Sequence, residues 1–178
     1  RGWLALGDEA NSYDGEAPDP TKADLKESLT FGRDHSTGDP AVDDTWFRPN
    51  VWPAEVPELE ADATRWMAEI GALYDEILLM FAAALGLPDR YFVERVRNGP
   101  HNCNINRYPP LTEVGRAAEG QFRVAAHTDW GMLTILDRQP GEGGLQVQAA
   151  DDSWVDAPHV DGAFIVNIGD MLARWTGD

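Results

Sequence analysis

The sequence predicts a mainly β protein resting on a helical support, and three observations carry that expectation. After Asn98-Gly99-Pro100 the apolar residues alternate in short runs broken by Gly, Pro and Asp. Before that point one long stretch repeats its apolar residues at three- and four-residue steps. No Walker sequence, dinucleotide glycine fingerprint or serine nucleophile elbow interrupts either part. Many short strands at this spacing suit a sandwich, barrel or jelly roll, and 178 residues suffice to bury a core.

Taken in order, residues 1–50 are polar and rich in turn signals, among them Asp14-Gly15, Pro18-Asp19-Pro20 and Gly38-Asp39-Pro40. Loops with little regular structure are expected there, apart from a strand-like Gly2-Trp3-Leu4-Ala5-Leu6. Trp46, Phe47 and Trp52, set among prolines, pin this segment to the body; bordering a substrate pocket is the other use for them. A helix is expected over 58–85, because Leu59, Ala63, Trp66, Met67, Ile70, Leu73, Tyr74, Ile77, Phe81 and Ala84 form one stripe. Pro57 precedes it, and Gly86 and Pro88 end it. A shorter helix over 88–97 buries Tyr91, Phe92 and Val96. Both helices read as scaffold rather than as a cofactor groove.

Strands follow at 102–108, 122–127, 132–138, 144–149, 153–157 and 163–168, and Gly141-Glu142-Gly143-Gly144 reads as a hairpin loop. Within them the triplet His-x-Asp occurs twice. His127 closes the alternating run Phe122-Arg123-Val124-Ala125-Ala126, so it reads as half of a metal site on a strand. On a strand His127 and Asp129 share a face with Cα atoms roughly 6–7 Å apart, near enough to converge on one ion. His159 and Asp161 lie between Pro158 and Gly162, which marks a solvated corner instead.

Alternation also places Asn102, Asn104, Asn106 and Tyr108 on one face of the first strand. An unpaired buried amide costs about 1–3 kcal/mol, so that face points to water or to a polar pocket, a solvent-exposed edge strand being the alternative. Asp170, before Met171-Leu172-Ala173-Arg174-Trp175, reads as a helix cap. Trp130 either shields a metal or packs beneath a loop.

Against 31 acidic residues stand 14 basic ones, a net charge of −17 that repels nucleic acid and anionic membranes, so neither is expected as a partner. Cys103 is the only cysteine, which excludes an intrachain disulfide. No apolar run approaches the roughly 18 residues of a membrane span. Cytoplasm is the default location.

Several blocks lie in one order along the chain: Asp24-Leu25-Lys26-Glu27-Ser28, Asn106-Arg107-Tyr108-Pro109-Pro110, His127 to Leu136, Gly143-Gly144-Leu145-Gln146-Val147, and Asn167 to Thr176. Together they resemble the isopenicillin N synthase-like family of non-haem iron, 2-oxoglutarate-dependent oxygenases. The resemblance implies a double-stranded β-helix, or jelly roll, incomplete at the C-terminus and preceded by a helical segment. It divides the chain into a loop and helical support region at 1–98, lacking its natural start, and a partial dioxygenase jelly-roll domain at 99–178. Fe(II), 2-oxoglutarate and O2 are the implied cofactor and cosubstrates.

By the same resemblance His127 and Asp129 are metal ligands, and Asn106 and Tyr108 contact the 2-oxoglutarate. Asn104 departs from the arginine often found at its position. The second metal histidine and the Arg-x-Ser pair that holds the oxo acid are expected beyond Asp178, so the chain reads as a fragment. Two histidines and one carboxylate on one face of an octahedral ion leave positions open for the oxo acid and O2, which are used to oxidise a small-molecule substrate with release of succinate and CO2. The alternatives are an oxidase of the isopenicillin N synthase type that takes no oxo acid, and a metal-free degenerate barrel acting as a binding module.

Overall fold

Pairing between residues far apart in sequence builds the first sheet. The computed structural model describes residues 1–10, 19–141 and 144–177, and divides into two units, Arg1–His127 and Thr128–Asp178. Asp14-Gly15 and Pro18, and Glu142-Gly143 of the expected hairpin loop, lie outside the described residues.

In the first unit, β1 (Gly2–Leu4), β2 (Glu27–Gly32) and β3 (Asn102–Arg107) form an antiparallel sheet in that order. The central strand falls where loops were expected. Its Ser28, Thr30 and Gly32 hid the pattern, whereas Leu29 and Phe31 supply an apolar face; Phe31 is buried with its ring centroid 5.4 Å from that of Trp52. Helix α1 (Pro40–Trp46) likewise occupies a region read as turn. Asp39 caps it by accepting the Ala41 N–H at 2.9 Å, and Pro40 has no N–H to leave unpaired. Phe47 is buried and pins this segment as expected, but Trp46 is exposed.

Helix α2 (Leu59–Ala84) falls where it was expected, but its buried face is only partly the expected stripe: Ala63 and Ile77 belong to it, Leu78 and Ala82 do not, and Trp66 and Ala84 of the stripe are exposed. Next comes α3 (Tyr91–Val96), shorter than expected, which inserts Phe92, Val93 and Val96 into the core. Leu78 and Phe92 are wholly buried, each contributing about 1.5–3 kcal/mol relative to exposure. A single turn, α4 (Leu111–Val114), follows β3.

The second unit holds β4 (Leu133–Leu136) paired antiparallel with β7 (Ile165–Ile168), and a hairpin of β5 (Gln146–Gln148) and β6 (Trp154–Asp156). Its last element is α5 (Asp170–Thr176), whose Leu172 is buried, as are Met132 and Leu133. Gly177 ends that helix at φ 94°.

Among the described residues the secondary structure is mixed helix and sheet, not mainly β, and the strands form one three-stranded and two two-stranded sheets rather than a closed barrel. Two causes account for the difference: the expected strands are shorter than their alternation, and 122–127 forms no strand. The change of period near residue 99 falls inside the first unit because β2 draws β3 to itself. No helix among the described residues is long and apolar enough to cross a membrane.

His101, just before β3, lies against the Tyr74 ring at 5.2 Å between centroids, and burial pushes its pKa below the ordinary 6.5. The folded state therefore resists a proton that the unfolded chain accepts, and stability falls as pH drops below about 6.5. Urea midpoints of the full-length protein between pH 8 and pH 5 should show this decline, with a shallower slope in His101→Phe.

Candidate metal centre

His127 is the last residue of the first unit and Asp129 lies just inside the second, so each is described with its own neighbours. The expected strand at 122–127 is absent: the segment is irregular and no strand pairs with it among the described residues. Its backbone groups go to a loop instead. The Leu25 N–H donates to the Phe122 carbonyl at 3.0 Å, and the Ala125 N–H donates to Asp24 Oδ1 at 3.0 Å. Strand alternation therefore does not bring His127 and Asp129 to one face; local hydrogen bonds place each of them.

For His127 the decisive contact is Nδ1 to the Ala125 carbonyl oxygen at 2.8 Å. A carbonyl can only accept, so in this contact Nδ1 carries the proton and the lone pair of the neutral ring lies on Nε2. Such second contacts fix the tautomer and orientation of metal-binding histidines. Behind Ala125 stands the Asp24 carboxylate, only 1% exposed. In the sequence Asp24 belongs to a family-like block, and nothing in its neighbours signals a partner a hundred residues away.

Asp129 is held through both side chain and backbone. Asn167 Nδ2 donates to Asp129 Oδ2 at 3.3 Å. The Asp170 N–H donates to the Asp129 carbonyl at 2.7 Å, the Met171 N–H to that of Gly131 at 3.2 Å, and the Gly169 N–H to that of Met132 at 3.0 Å. Opening N–H groups of a helix have no acceptor inside it, and here the 129–131 segment supplies acceptors for Asp170 and Met171. Gly169 rather than Asp170 is the cap residue of α5, and the Asp170 side chain makes no cap bond. Its Oδ2 instead accepts the Thr128 hydroxyl at 2.9 Å, which corrects the capping expectation. Trp130 is 86% exposed and so does not pack beneath a loop.

The asparagine face of β3 is an exposed edge, yet the amides of Asn104 and Asn106 have partners. Ser28 Oγ lies 2.8 Å from Asn106 Oδ1 and Thr30 Oγ1 lies 2.9 Å from Asn104 Oδ1, matching the register of β2 and β3. Beside Ser28 the buried Lys26 ammonium pairs with Glu9 Oε2 at 2.7 Å. Asn106 thus adjoins a polar cluster, while Tyr108 lies past the end of β3 and is 45% exposed. His159 Nε2 meets Asp161 Oδ1 at 2.9 Å, an ion-pair geometry in the loop between β6 and β7 where a solvated corner was expected.

A neutral imidazole nitrogen and a carboxylate oxygen suit Fe(II) in kind. In number they stop at two, because no group of three His, Cys, Asp or Glu side chains among the described residues could hold a metal ion. Residues 100–178 match the 2OG-Fe(II) oxygenase superfamily. Residues 100–178 belong to that superfamily.

The chain's relatives agree. A validamycin A dioxygenase of Streptomyces hygroscopicus subsp. limoneus is 41% identical over 86% of this chain and 42% of its own length. Among solved structures, a full-length Neurospora crassa protein in complex with alpha-KG and thymine superimposes with a TM-score of 0.78 at 31% identity, covering 98% of this chain and 53% of that one. A putative 2OG-Fe(II) oxygenase family protein of Caulobacter crescentus gives 0.74 at 29% identity, over 98% and 52%. The chain spans about half the length of the curated relatives it matches.

The approach of Gly169 to the 129–131 segment has a direct consequence. A Cβ at Gly169 would overlap the Gly131 carbonyl and stand 3.0 Å from the Asp129 oxygen, whereas one at Gly131 would meet only the Leu133 oxygen at 3.9 Å. Gly169→Ala should cost about 1–3 kcal/mol, as overpacking does, and Gly131→Ala much less. Denaturant unfolding of the full-length protein would show whether the two substitutions differ in this order.

Proposed function

We propose that the full-length protein is an Fe(II)- and 2-oxoglutarate-dependent oxygenase that oxidises a small organic molecule with O2 and releases succinate and CO2. The observation that carries this reading is the superfamily match over 100–178, which includes a histidine whose Nδ1 is already committed to a backbone carbonyl. His127 Nε2 and the Asp129 carboxylate are assigned as two donors of a larger ligand set. Residues 99–178 then form part of a jelly-roll domain and 1–98 its support.

When bound, Fe(II) supplies the open positions at which an oxo acid and O2 react. The chain's own residues orient and hold. Asp24 fixes Ala125, and Ala125 fixes the imidazole. Asn106 and Tyr108 are assigned to the oxo acid. The polar cluster of Lys26, Glu9 and Ser28 supports the Asn106 amide, and the Tyr108 hydroxyl is a donor for a carboxylate. A small-molecule substrate accords with the thymine held by the Neurospora crassa protein and the validamycin A for which another relative is named. No observation favours the oxidase or the binding-module alternative.

His127→Ala or Asp129→Ala should abolish iron binding and turnover, whereas His159→Ala should leave both nearly intact. Iron content after desalting and succinate release measure this, and equal losses at His127 and His159 would refute the assignment. Tyr108→Phe should raise the apparent KM for 2-oxoglutarate with iron content unchanged. Loss of iron with an unaltered KM would remove Tyr108 from the oxo-acid site.

A further inference from the structure

The contacts of Asn167 support a step that rests on the reading of Asp129 as a metal donor. Asn167 is the one strongly polar residue of β7, among Ile165, Val166 and Ile168. Asparagine is depleted in strands, so its place here calls for a local reason. That reason is visible in its Nδ2 group, which donates to Asp129 Oδ2 at 3.3 Å. An ionised carboxylate accepts only, and an amide NH2 donates only, so the contact selects one rotation of the Asp129 side chain.

The main chain of Asp129 is fixed independently. Three successive N–H groups, of Gly169, Asp170 and Met171, donate to the carbonyls of Met132, Asp129 and Gly131. Thr128 adds its hydroxyl to the Asp170 carboxylate. A single stretch, 167–171, therefore sets where the Asp129 backbone lies and how its carboxylate turns. The backbone contacts place the loop, whereas the Asn167 amide acts on the carboxylate itself.

We propose that Asn167 is a positioning residue for the metal: it touches neither metal nor substrate, and it acts by holding Asp129 Oδ2 so that the carboxylate presents a fixed orientation to the ion. Partners of this kind typically contribute 10–100-fold to metal affinity. Hydrogen bonds to a charged acceptor are also stronger than those between neutral groups.

The test titrates the metal-free full-length protein with Co(II), following the visible absorption that reports coordination geometry, and compares wild type with Asn167→Leu, Asn167→Asp and Asp129→Ala. Asn167→Leu keeps the side-chain size and removes the donor. It should weaken Co(II) binding by about 10–100-fold and alter the absorption band, while the metal-free protein melts as wild type does. Asn167→Asp should lose at least as much at neutral pH, because a second carboxylate would face the first.

Wild-type Co(II) affinity in Asn167→Leu, with binding lost in Asp129→Ala, would overturn the proposal and leave Asp129 a ligand. Wild-type affinity in Asp129→Ala would overturn the underlying reading as well. If both Asn167 variants lowered the melting temperature of the metal-free protein while the Co(II) band stayed unchanged, Asn167 would be a packing residue and the proposal would fail.

Discussion

The second unit is organised by the approach of two backbone segments at Gly169 and Gly131. With no side chain at 169, the start of α5 comes close enough for Asp170 and Met171 to give their N–H groups to the Asp129 and Gly131 carbonyls. A helix must satisfy its opening donors, and this one does so on the loop that carries a proposed metal ligand. Capping and ligand placement are thus served by the same bonds. The pairing of β4 with β7 supports the arrangement, because Leu133 opposite Ile168 sets the distance between the loop and the helix start.

In the first unit the same economy uses a buried carboxylate. Asp24 is nearly inaccessible and accepts the Ala125 N–H, while the neighbouring Leu25 N–H takes the Phe122 carbonyl. The irregular segment before His127 is thereby held at several points without belonging to a sheet. A non-strand backbone fixed by convergent hydrogen bonds can position an imidazole as firmly as a strand can, provided its donors and acceptors are satisfied.

What the sequence made legible follows from how local each signal is. The stripe of α2 depends on residues three and four apart, so it could be read directly, and its ends fell within one residue of the structure's. Strand β2 depends on Thr30 meeting Asn104 and Ser28 meeting Asn106, pairings across some seventy-five residues that no window along the chain contains. Helix α1 does carry a local signal, aspartate followed by proline, but the same pair also begins a turn, so the signal alone does not separate the two. The reverse holds at 122–127, where alternation is clear but no strand pairs with the segment among the described residues. The roles of Asn167 and Asp24 are not legible in the sequence, since their partners, Asp129 and Ala125, meet them only once the chain has folded.

The two His-x-Asp triplets show why a motif needs its surroundings. At 159 and 161 the spacing lets Nε2 meet the carboxylate of its own triplet, so the imidazole and the aspartate satisfy each other in an exposed loop. At 127 and 129 the backbone keeps Nδ1 on the Ala125 carbonyl, and Asp129 Oδ2 is drawn to Asn167. The first triplet has a contact within itself, and each member of the second has a contact to a residue outside it. Orientation from outside is what a ligand pair requires, because a metal competes for donor atoms only where other groups hold the rings and carboxylates in place. Identical spacing thus stands in different surroundings: a His159–Asp161 contact in one loop, and contacts to Ala125 and Asn167 around a proposed half-site in the other.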